Sequence, residues 1–375
     1  MRITLKKLAV FLLASFVFSA PLISVHVNAD AVQTSAKSAF LCERGSGRVI
    51  YSKNADQRMP MASTTKIMTA LTALSAADPD SVATVSKNAE GTEGSSMYLR
   101  AGEKVTLREL LYGLMLSSGN DAAVAVAEHV SGSTAAFADL MNRKAAELGL
   151  TNTHFENPNG LDSAGHYTTA AELAKIMDAA LSNELFREIT SCKSKKTERA
   201  VYTNHNKLLS MYDGVYSGKT GFTKKDGRCL VSACERNGFS LIAVTLSDPD
   251  DWNDHMKMYD AAFAEYRFYT AAEKDGGCGE VRTDGAEKVP LMFGNAMSMY
   301  VRDGEAEKPE IRYNLPEVMP LPVHRGDVVG TAELWLGNTK YAECSVLSGA
   351  DLEKSEPGFL DISAKTVKMW LEAFR

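Results

Sequence analysis

One short stretch constrains this chain more than any other: a serine and a lysine at the predicted start of an apolar helix. Pro60 disfavours helical backbone in the residue before it, a Ser/Thr cluster then offers a helix cap, and an apolar run continues to Ala70. Ser63 and Lys66 are three residues apart and therefore share one helix face. A lysine whose pKa is lowered by burial or by a second cation can take the proton of such a serine. The pair alone is a weak signal, because a capped helix with a surface lysine has the same pattern.

Two polar triplets later in the chain strengthen this interpretation. Residues 118–120 (Ser-Gly-Asn) fall in a predicted connection between two helices, the first of which opens with a capping box at residues 106–109. Residues 219–221 (Lys-Thr-Gly) fall where we predict that a strand begins, and Gly221 would let a ligand approach the backbone closely. A triplet held between two buried helices is a rigid support for a functional side chain.

The three motifs, in this order, resemble those of the penicillin-recognising serine enzymes. The strings around them resemble the low-molecular-mass penicillin-binding proteins more than the β-lactamases: PMASTTK at residues 60–66, LSSGNDA at 116–122 and GKTGFT at 218–223. The chain is thus similar to the serine-type D-alanyl-D-alanine carboxypeptidases of peptidase family S11, including penicillin-binding proteins 5 and 6 and the DacF-type enzymes. The resemblance extends over nearly the whole chain that follows the predicted signal segment.

This resemblance implies a role for each of eight residues. Ser63 would attack the carbonyl between two terminal D-alanines, Lys66 would receive its proton, and Ser118 would pass a proton to the departing D-alanine. Backbone N–H groups of Ser63 and Phe222 would bind the oxyanion. The remaining residues would bind substrate, with Asn120 positioning the peptide, Lys219 and Thr220 attracting its carboxylate, and Gly221 allowing close approach. Lys219 would also keep Lys66 neutral, because two neighbouring cations disfavour each other.

Two departures from the family pattern affect these expectations. Some relatives have histidine at the position of Phe222, which changes little if only the backbone is used. Some relatives also bind the substrate carboxylate with an arginine further along the chain, but the corresponding residues 248–255 contain none. Arg228 and Arg236 lie elsewhere in the pattern, and we do not assign that role to them. The rest of the carboxylate site therefore stays open.

The pattern of elements predicts two kinds of structure in the first part of the chain. Residues 38–42 and 48–52 predict a hairpin, and the segment between it and residue 214 predicts mainly helices and turns, hence a helical lobe. Residues 228–235 and 240–247, joined by an Asn-Gly turn, are apolar on both faces. We therefore predict a sheet that is covered on both sides.

The length of the chain predicts a second domain. After the signal segment 346 residues remain, and a single hydrophobic core seldom serves so many. A helix predicted at residues 254–269 and a glycine-rich stretch at 276–279 precede short strands over 281–352, typical of a small β-sandwich. The expected fold class is α/β (α+β), a β-lactamase/transpeptidase-like domain with a helical lobe, followed by an all-β sandwich and a short C-terminal amphipathic helix. We place the catalytic domain at residues 30–276, the sandwich at 280–358 and the final helix at 361–375.

Both ends of the chain predict a location outside the cytoplasm. Residues 1–29 have a basic start, an apolar run of 11 residues at 8–18 and a small-residue cleavage site after Ala29, which is typical of a secretory signal. The run is shorter than the ~20 residues of a membrane anchor. We expect the protein at the outer face of the cell membrane or in the cell wall. The final helix has an apolar face with Trp370 and basic flanks, which favours contact with a membrane surface or packing on the sandwich.

Charge and composition limit the partners. Export lowers the net charge from −6 to −9 without leaving a basic cluster, which disfavours nucleic acid. The six cysteines fit no disulfide or metal framework, and the seven histidines have no metal-ligand spacing. We therefore expect no metal or other cofactor. The expected partners are a peptidoglycan stem peptide and, as inhibitors, β-lactams.

Two alternatives remain from the residues alone. A class A β-lactamase would need a glutamate that activates the deacylating water, and Glu156 is the one candidate. A silent cell-wall-binding protein would keep the motifs without forming a covalent adduct on Ser63. We interpret His166, which precedes a predicted helix cap, as a hydrogen-bonding surface residue and not as a catalytic one.

Overall fold

The computed structural model of the chain describes residues 32–285, 287–305, 308–354 and 366–372. The predicted signal segment, residues 1–29, lies outside these ranges, as does part of the predicted final helix. Residues 366–372 of that helix are helical and exposed. Within the described ranges, no helix is both long and apolar enough to cross a membrane.

The first part of the chain contains both helices and strands, and the second part is built from strands. In chain order the first part contains β1 (Ser38–Glu43), β2 (Val49–Lys53), α1 (Lys66–Ala76), β3 (Val82–Thr84), β4 (Lys104–Thr106), α2 (Leu107–Leu116), α3 (Asn120–Ser131), α4 (Thr134–Glu147), α5 (Ala170–Leu181), α6 (Glu184–Ser191), β5 (Ser194–Lys196), β6 (Val201–Thr203), α7 (Leu208–Met211), β7 (Val215–Thr223), β8 (Gly227–Arg236), β9 (Phe239–Leu246) and α8 (Asp251–Glu265). The second part contains β10 (Tyr266–Ala272), β11 (Gly277–Thr283), β12 (Lys288–Phe293), β13 (Met297–Arg302), β14 (Glu310–Asn314), β15 (Val318–Met319), β16 (Val328–Leu336) and β17 (Thr339–Ser348).

A five-stranded antiparallel sheet, in the order β2-β1-β9-β8-β7, forms the centre of the first part. Strands β8 and β9 are buried on both faces, with the helices α1 to α6 on one side and α8 on the other. The prediction of a sheet covered on both sides is therefore confirmed. Cys229 and Cys234 lie on opposite faces of β8, as their spacing predicts, and all six cysteines are unpaired within the described residues.

Side-chain caps begin two helices of the lobe where the sequence predicts them. The Thr106 hydroxyl accepts the Glu109 N–H at 3.2 Å before α2, and Thr169 accepts the Glu172 N–H at 3.1 Å before α5. The Glu109 carboxylate does not complete a reciprocal box but accepts the Tyr202 hydroxyl at 2.7 Å. The apolar faces of α2 and α3 both pack in the core, and this packing fixes the short connection between the two helices.

The second part is a β module, and the predicted end of the helix in front of it is wrong. The helix predicted to reach residue 269 ends at Glu265, and β10 follows at once, because the aromatic residues from Tyr266 onward pair with β13 and favour strand backbone. The glycine-rich stretch leads directly into β11. A six-stranded sheet in the order β14-β16-β17-β12-β11-β15 and the β10-β13 pair enclose one apolar core.

The two parts contact each other through Arg48 of the hairpin. Its side chain forms an ion pair of 2.5 Å with Glu305, donates to the Tyr300 carbonyl at 2.9 Å and lies over the Tyr266 ring. The Tyr300 ring stacks on Phe239 of β9, with ring centroids 4.3 Å apart. These contacts fix the β module at the end of the sheet formed by the β1-β2 turn and the β8-β9 turn.

Candidate active site

Ser63 lies in a single turn of 3₁₀ helix, Ala62–Thr65, directly before α1. The α-helix therefore begins later than the sequence predicts. The hydroxyl of Thr64 donates to the Met61 carbonyl at 2.6 Å, and that of Thr65 donates to the Ala62 carbonyl at 2.8 Å, which holds this tighter turn. Lys66 is the first residue of α1, and its Nζ donates to Ser63 Oγ at 2.8 Å.

The Lys66 amine is fully buried and has three neutral acceptors. Besides Ser63 Oγ, these are Asn120 Oδ1 at 2.7 Å and the Asn159 carbonyl at 2.6 Å. Burial lowers the pKa of Lys66 well below its usual value, the charge of Lys219 lowers it further, and only Asp121 opposes them. A neutral amine in this position can accept the proton of a neighbouring hydroxyl.

Ser118 lies between α2 and α3 in a left-handed backbone conformation, with φ of +59°, and its side chain is buried. The Lys219 Nζ donates to Ser118 Oγ at 3.0 Å and to the Thr220 carbonyl at 2.8 Å. Burial lowers the pKa of Lys219 to about 7. Each of the two serines thus accepts a hydrogen bond from a buried lysine, Ser63 from Lys66 and Ser118 from Lys219.

The first turn of α3 holds Asn120 in place. Its amide nitrogen donates to the Glu93 carbonyl at 2.6 Å, while its oxygen accepts from Lys66. The buried Asp121 carboxylate accepts the N–H groups of Met97 and Leu99, each at 3.0 Å, and ties the preceding loop to the helix. The amide of Asn120 therefore has one orientation, set by both neighbours.

Strand β7 brings residues 219–221 against the Ser63 turn. The triplet lies within this edge strand and not at its beginning, which corrects the sequence prediction. A Cβ on Gly221 would lie 3.0 Å from both the Met61 carbonyl oxygen and the Ser63 nitrogen, so a side chain here would require the turn to move by a few tenths of an ångström. The Phe222 side chain is 66% exposed at the cavity rim.

One cavity of about 340 Å³ joins these elements. Its walls are formed by Ser63, Ser95, Ser118, His205, Lys207, Thr220, Gly221, Phe222, Arg228, Asp251 and Trp252. Five of the eight predicted site residues line it, and the other three are buried behind them. Lys66 donates to Ser63, Lys219 donates to Ser118, and Asn120 accepts from Lys66. All eight therefore come together, and the role of each stays a prediction.

Sequence reasoning missed a supporting loop beneath Ser63. Ala62 has a φ of +47°. A Cβ on Gly160 would lie 2.0 Å from the Ala62 carbonyl oxygen, so the loop packs directly against this carbonyl. His166 is buried and hydrogen-bonded to the Thr65 hydroxyl at 2.8 Å, so its interpretation as a surface residue is wrong. Burial lowers the pKa of His166 to about 4. The turn-rich residues 155–162 were the only sequence signal for this loop.

Arg228 also reaches the cavity, together with Asp251 and Trp252 from the start of α8. The motifs did not identify Arg228 as a site residue, because it lies on the next strand, seven residues beyond the triplet. Glu156, by contrast, is exposed and is not among the residues that line the cavity. Its carboxylate accepts the Gly165 N–H at 3.0 Å within its own loop.

Comparison with known proteins agrees with this geometry. A family model described as D-alanyl-D-alanine carboxypeptidase, Peptidase S11, matches residues 24–250, and one described as the C-terminal domain of penicillin-binding protein 5 matches residues 271–354. The chain is 34% identical to the D-alanyl-D-alanine carboxypeptidase DacF of Bacillus subtilis over 89% of this chain and 90% of the relative. It is 31% identical to DacC of Escherichia coli over 92% and 90%. Penicillin-binding protein 5 from Haemophilus influenzae superposes with a TM-score of 0.67 at 26% identity, covering 86% of this chain and 98% of that structure. The chain therefore belongs to the S11 family of D-alanyl-D-alanine carboxypeptidases.

Proposed function

We propose that the chain removes the terminal D-alanine from peptidoglycan pentapeptide stems through an acyl-enzyme on Ser63. The observation that carries this proposal is the 2.8 Å contact between Ser63 Oγ and the buried Lys66 amine. A serine hydroxyl is a weak nucleophile at its ordinary pKa and needs a neighbouring base. Lys66 provides that base because its pKa is lowered by burial and by Lys219.

Acylation begins when Ser63 Oγ attacks the carbonyl of the penultimate D-alanine and Lys66 takes its proton. The oxyanion that forms is bound by the N–H groups of Ser63 and Phe222, which lie on the adjoining turn and strand. Lys66 passes this proton on through Ser118, whose hydroxyl delivers one proton to the leaving nitrogen as it receives another, and Lys219 orients that hydroxyl by its hydrogen bond of 3.0 Å. The C–N bond breaks, an ester to Ser63 remains, and D-alanine leaves.

Hydrolysis of the ester completes the cycle. A water gives a proton to the neutral Lys66 and attacks the acyl carbon, the bond to Ser63 Oγ breaks, and that oxygen takes the proton back from Lys66. The stem peptide leaves as a carboxylic acid, which ionises in water. Asn120 positions the stem peptide, and Thr220 and Lys219 attract its carboxylate. A β-lactam offers its ring amide in place of the scissile peptide and leaves a covalent adduct on Ser63.

Release of D-alanine from a muropeptide pentapeptide, measured beside nitrocefin turnover, tests the proposal. We expect D-alanine release and only slow nitrocefin hydrolysis. Fast nitrocefin turnover without D-alanine release would instead support the β-lactamase alternative. Mass spectrometry after incubation with labelled penicillin should locate one adduct on Ser63, and the absence of an adduct would support the silent binding protein.

The Lys66→Ala variant tests the proposed base. We expect acylation by penicillin to fall by at least about 100-fold, since general bases contribute roughly 100- to 10,000-fold in rate. Circular dichroism should show the same fold, because alanine is a good helix former at the start of α1. Acylation of the variant at the parental rate would remove Lys66 from the mechanism.

We further propose that the protein works outside the cytoplasm and touches the membrane surface through its final helix. Val367, Met369, Trp370 and Leu371 are exposed on residues 366–372. Co-sedimentation with vesicles of anionic phospholipid should be lost when residues 361–375 are removed, while D-alanine release stays unchanged. Equal co-sedimentation of both forms would instead favour a helix that does not contact the membrane.

A further inference from the structure

We infer that Arg228 is the residue that binds the terminal carboxylate of the substrate, and that Asp251 and Trp252 hold its guanidinium for this purpose. The inference rests on the proposed function, because only a carboxypeptidase substrate must end in a free carboxylate at this cavity. It assigns a specificity residue to a strand next to the one that carries the Lys-Thr-Gly triplet.

The cavity needs a cation for the carboxylate that it removes from water. A carboxylate transferred out of water without a paired charge is strongly disfavoured. Lys219 cannot meet this need alone, since its ammonium is 1% exposed and donates to Ser118 Oγ and to the Thr220 carbonyl. A charge on the open wall of the cavity would complete the site.

Arg228 lies on that wall. It pairs with Phe222 in the register between β7 and β8, which places it one residue beyond the triplet on the adjoining strand. Its side chain is 41% exposed and lines the same cavity as Ser63, Ser118 and Thr220. The guanidinium therefore faces the space that the C-terminal residue of a substrate would fill.

Its neighbours fix the orientation of the guanidinium. Nη2 donates to Asp251 Oδ1 at 2.6 Å, and the Asp251 side chain is only 2% exposed. The Trp252 ring lies beneath it, 5.5 Å from Cζ to the ring centroid, within the range of a cation–π contact. An arginine held in this way loses little side-chain entropy when it binds a second carboxylate.

The guanidinium also has hydrogen-bonding capacity to spare. Among the described residues, its Nε is buried and has no hydrogen-bond partner, and Asp251 occupies only one of the five N–H groups that an arginine carries. A carboxylate placed against the exposed N–H groups of the guanidinium would accept charge-assisted hydrogen bonds from them. One arginine can serve two carboxylates, so its pairing with Asp251 does not exclude this role.

Lys207 is the other exposed cation among the described residues that line the cavity. It also lines the cavity, but its side chain is exposed, so its ammonium keeps its water and attracts a carboxylate weakly. Arg228 is partly desolvated and anchored, which strengthens each contact that it makes. The structure therefore favours Arg228.

Two matched substrates test the assignment: a peptide ending in D-alanyl-D-alanine and the same peptide ending in D-alanyl-D-alaninamide. We expect the parent to prefer the free carboxylate and Arg228→Gln to lose kcat/KM for it by about 10- to 150-fold, the range of a hydrogen bond to a charged group. The rate on the amide should change by less than about 3-fold, so that the preference disappears. Arg228→Lys keeps the charge without the fork and should recover part of it.

Control variants and folding checks separate the outcomes. Arg236→Gln lies on the same strand but donates to the Asp213 carbonyl away from the cavity, and should keep the parental preference. Retention of the carboxylate preference by Arg228→Gln, or its loss in Lys207→Gln alone, would overturn the assignment while leaving the proposed function intact. Failure of the parent to release D-alanine from the first peptide and D-alaninamide from the second would overturn both. The amide rate also reports folding, because an unfolded variant would lose it as well.

Discussion

At the scale of single residues, the two buried lysines are the unusual feature of this site. Within the described residues, every hydrogen-bond acceptor of Lys66 and Lys219 is neutral, being a hydroxyl, an amide oxygen or a backbone carbonyl. A lysine buried without a carboxylate partner has its charged form disfavoured. The two amines can therefore have different roles. The charge of Lys219, whose pKa is about 7, adds to the effect of burial and lowers the pKa of Lys66, which is then neutral and can act as the base.

The Lys219→Gln variant should move the pH dependence of acylation. Loss of the neighbouring charge raises the pKa of Lys66, so the acid limb of the profile should shift to higher pH. Burial, the larger cause, remains and keeps the pKa below its usual value. The acylation rate by labelled penicillin between pH 5 and 10 measures this shift. Lys225→Gln, an exposed lysine after β7, is the control. A slower variant with an unmoved acid limb would contradict the coupling.

The sequence could predict local contacts of the site but not the distant ones. Ser63 and Lys66 are neighbours because one helical turn brings them together, and the flanking motifs identified the other six predicted residues. The contact between Lys66 and the Asn159 carbonyl spans 93 residues, and that between His166 and Thr65 spans 101. Such pairs depend on how the lobe folds back on the turn, which no local pattern contains.

At the scale of elements, the approach of β7 to the Ser63 turn forms the reaction geometry. The sequence predicted a strand here but placed the triplet at its start. In the structure the strand begins at Val215, four residues before Lys219. Gly221 lies within the strand and approaches the Ser63 turn closely. The end of α8 was misplaced because helix and strand patterns both fit the aromatic residues after Glu265.

The Gly221→Ala variant should separate the strand from the turn. Its Cβ would lie 3.0 Å from two backbone atoms, and relief of that contact requires a shift of a few tenths of an ångström. We expect acylation to slow by about 10- to 100-fold, since small misplacements of oxyanion donors are costly. Stopped-flow measurement of penicillin acylation tests this.

Gly277→Ala is the matched control, because a Cβ there meets nothing within 4 Å. It lies in β11 of the β module and should acylate at the parental rate. A Gly221→Ala variant as fast as this control would mean that the close approach has no part in catalysis.

At the scale of the whole molecule, the β module is fixed to the catalytic part by a small polar contact around Arg48. The Arg48 and Glu305 side chains are 11% and 16% exposed, and burial raises the cost of leaving either charge unpaired. Glu305 also pairs with Arg302, so removal of Arg48 leaves it one partner. The sequence predicted two domains but gave no sign of this contact, which joins residues 257 positions apart.

The Arg48→Met variant should loosen this junction. We expect a loss of about 2 kcal/mol, seen as roughly 30-fold faster amide exchange in β10 (Tyr266–Ala272) by mass spectrometry. D-alanine release from a short soluble peptide should not change, because the cavity lies elsewhere in the fold. Arg267→Met removes an exposed pair with Asp303 and serves as the control, with an expected effect below about 1 kcal/mol. Equal exchange in both variants would contradict a structural role for Arg48.

The neutral surroundings of the two buried amines also set how acid acts on the native protein. When the chain unfolds, both nitrogens return to solvent, where an ordinary lysine binds a proton at any pH below about 10. The native state binds those protons more weakly, above all at Lys66, so unfolding is accompanied by proton uptake and becomes easier as the medium is acidified. Burial of the two amines costs free energy that packing in the rest of the core must offset, so the reactive site lowers the stability of the fold.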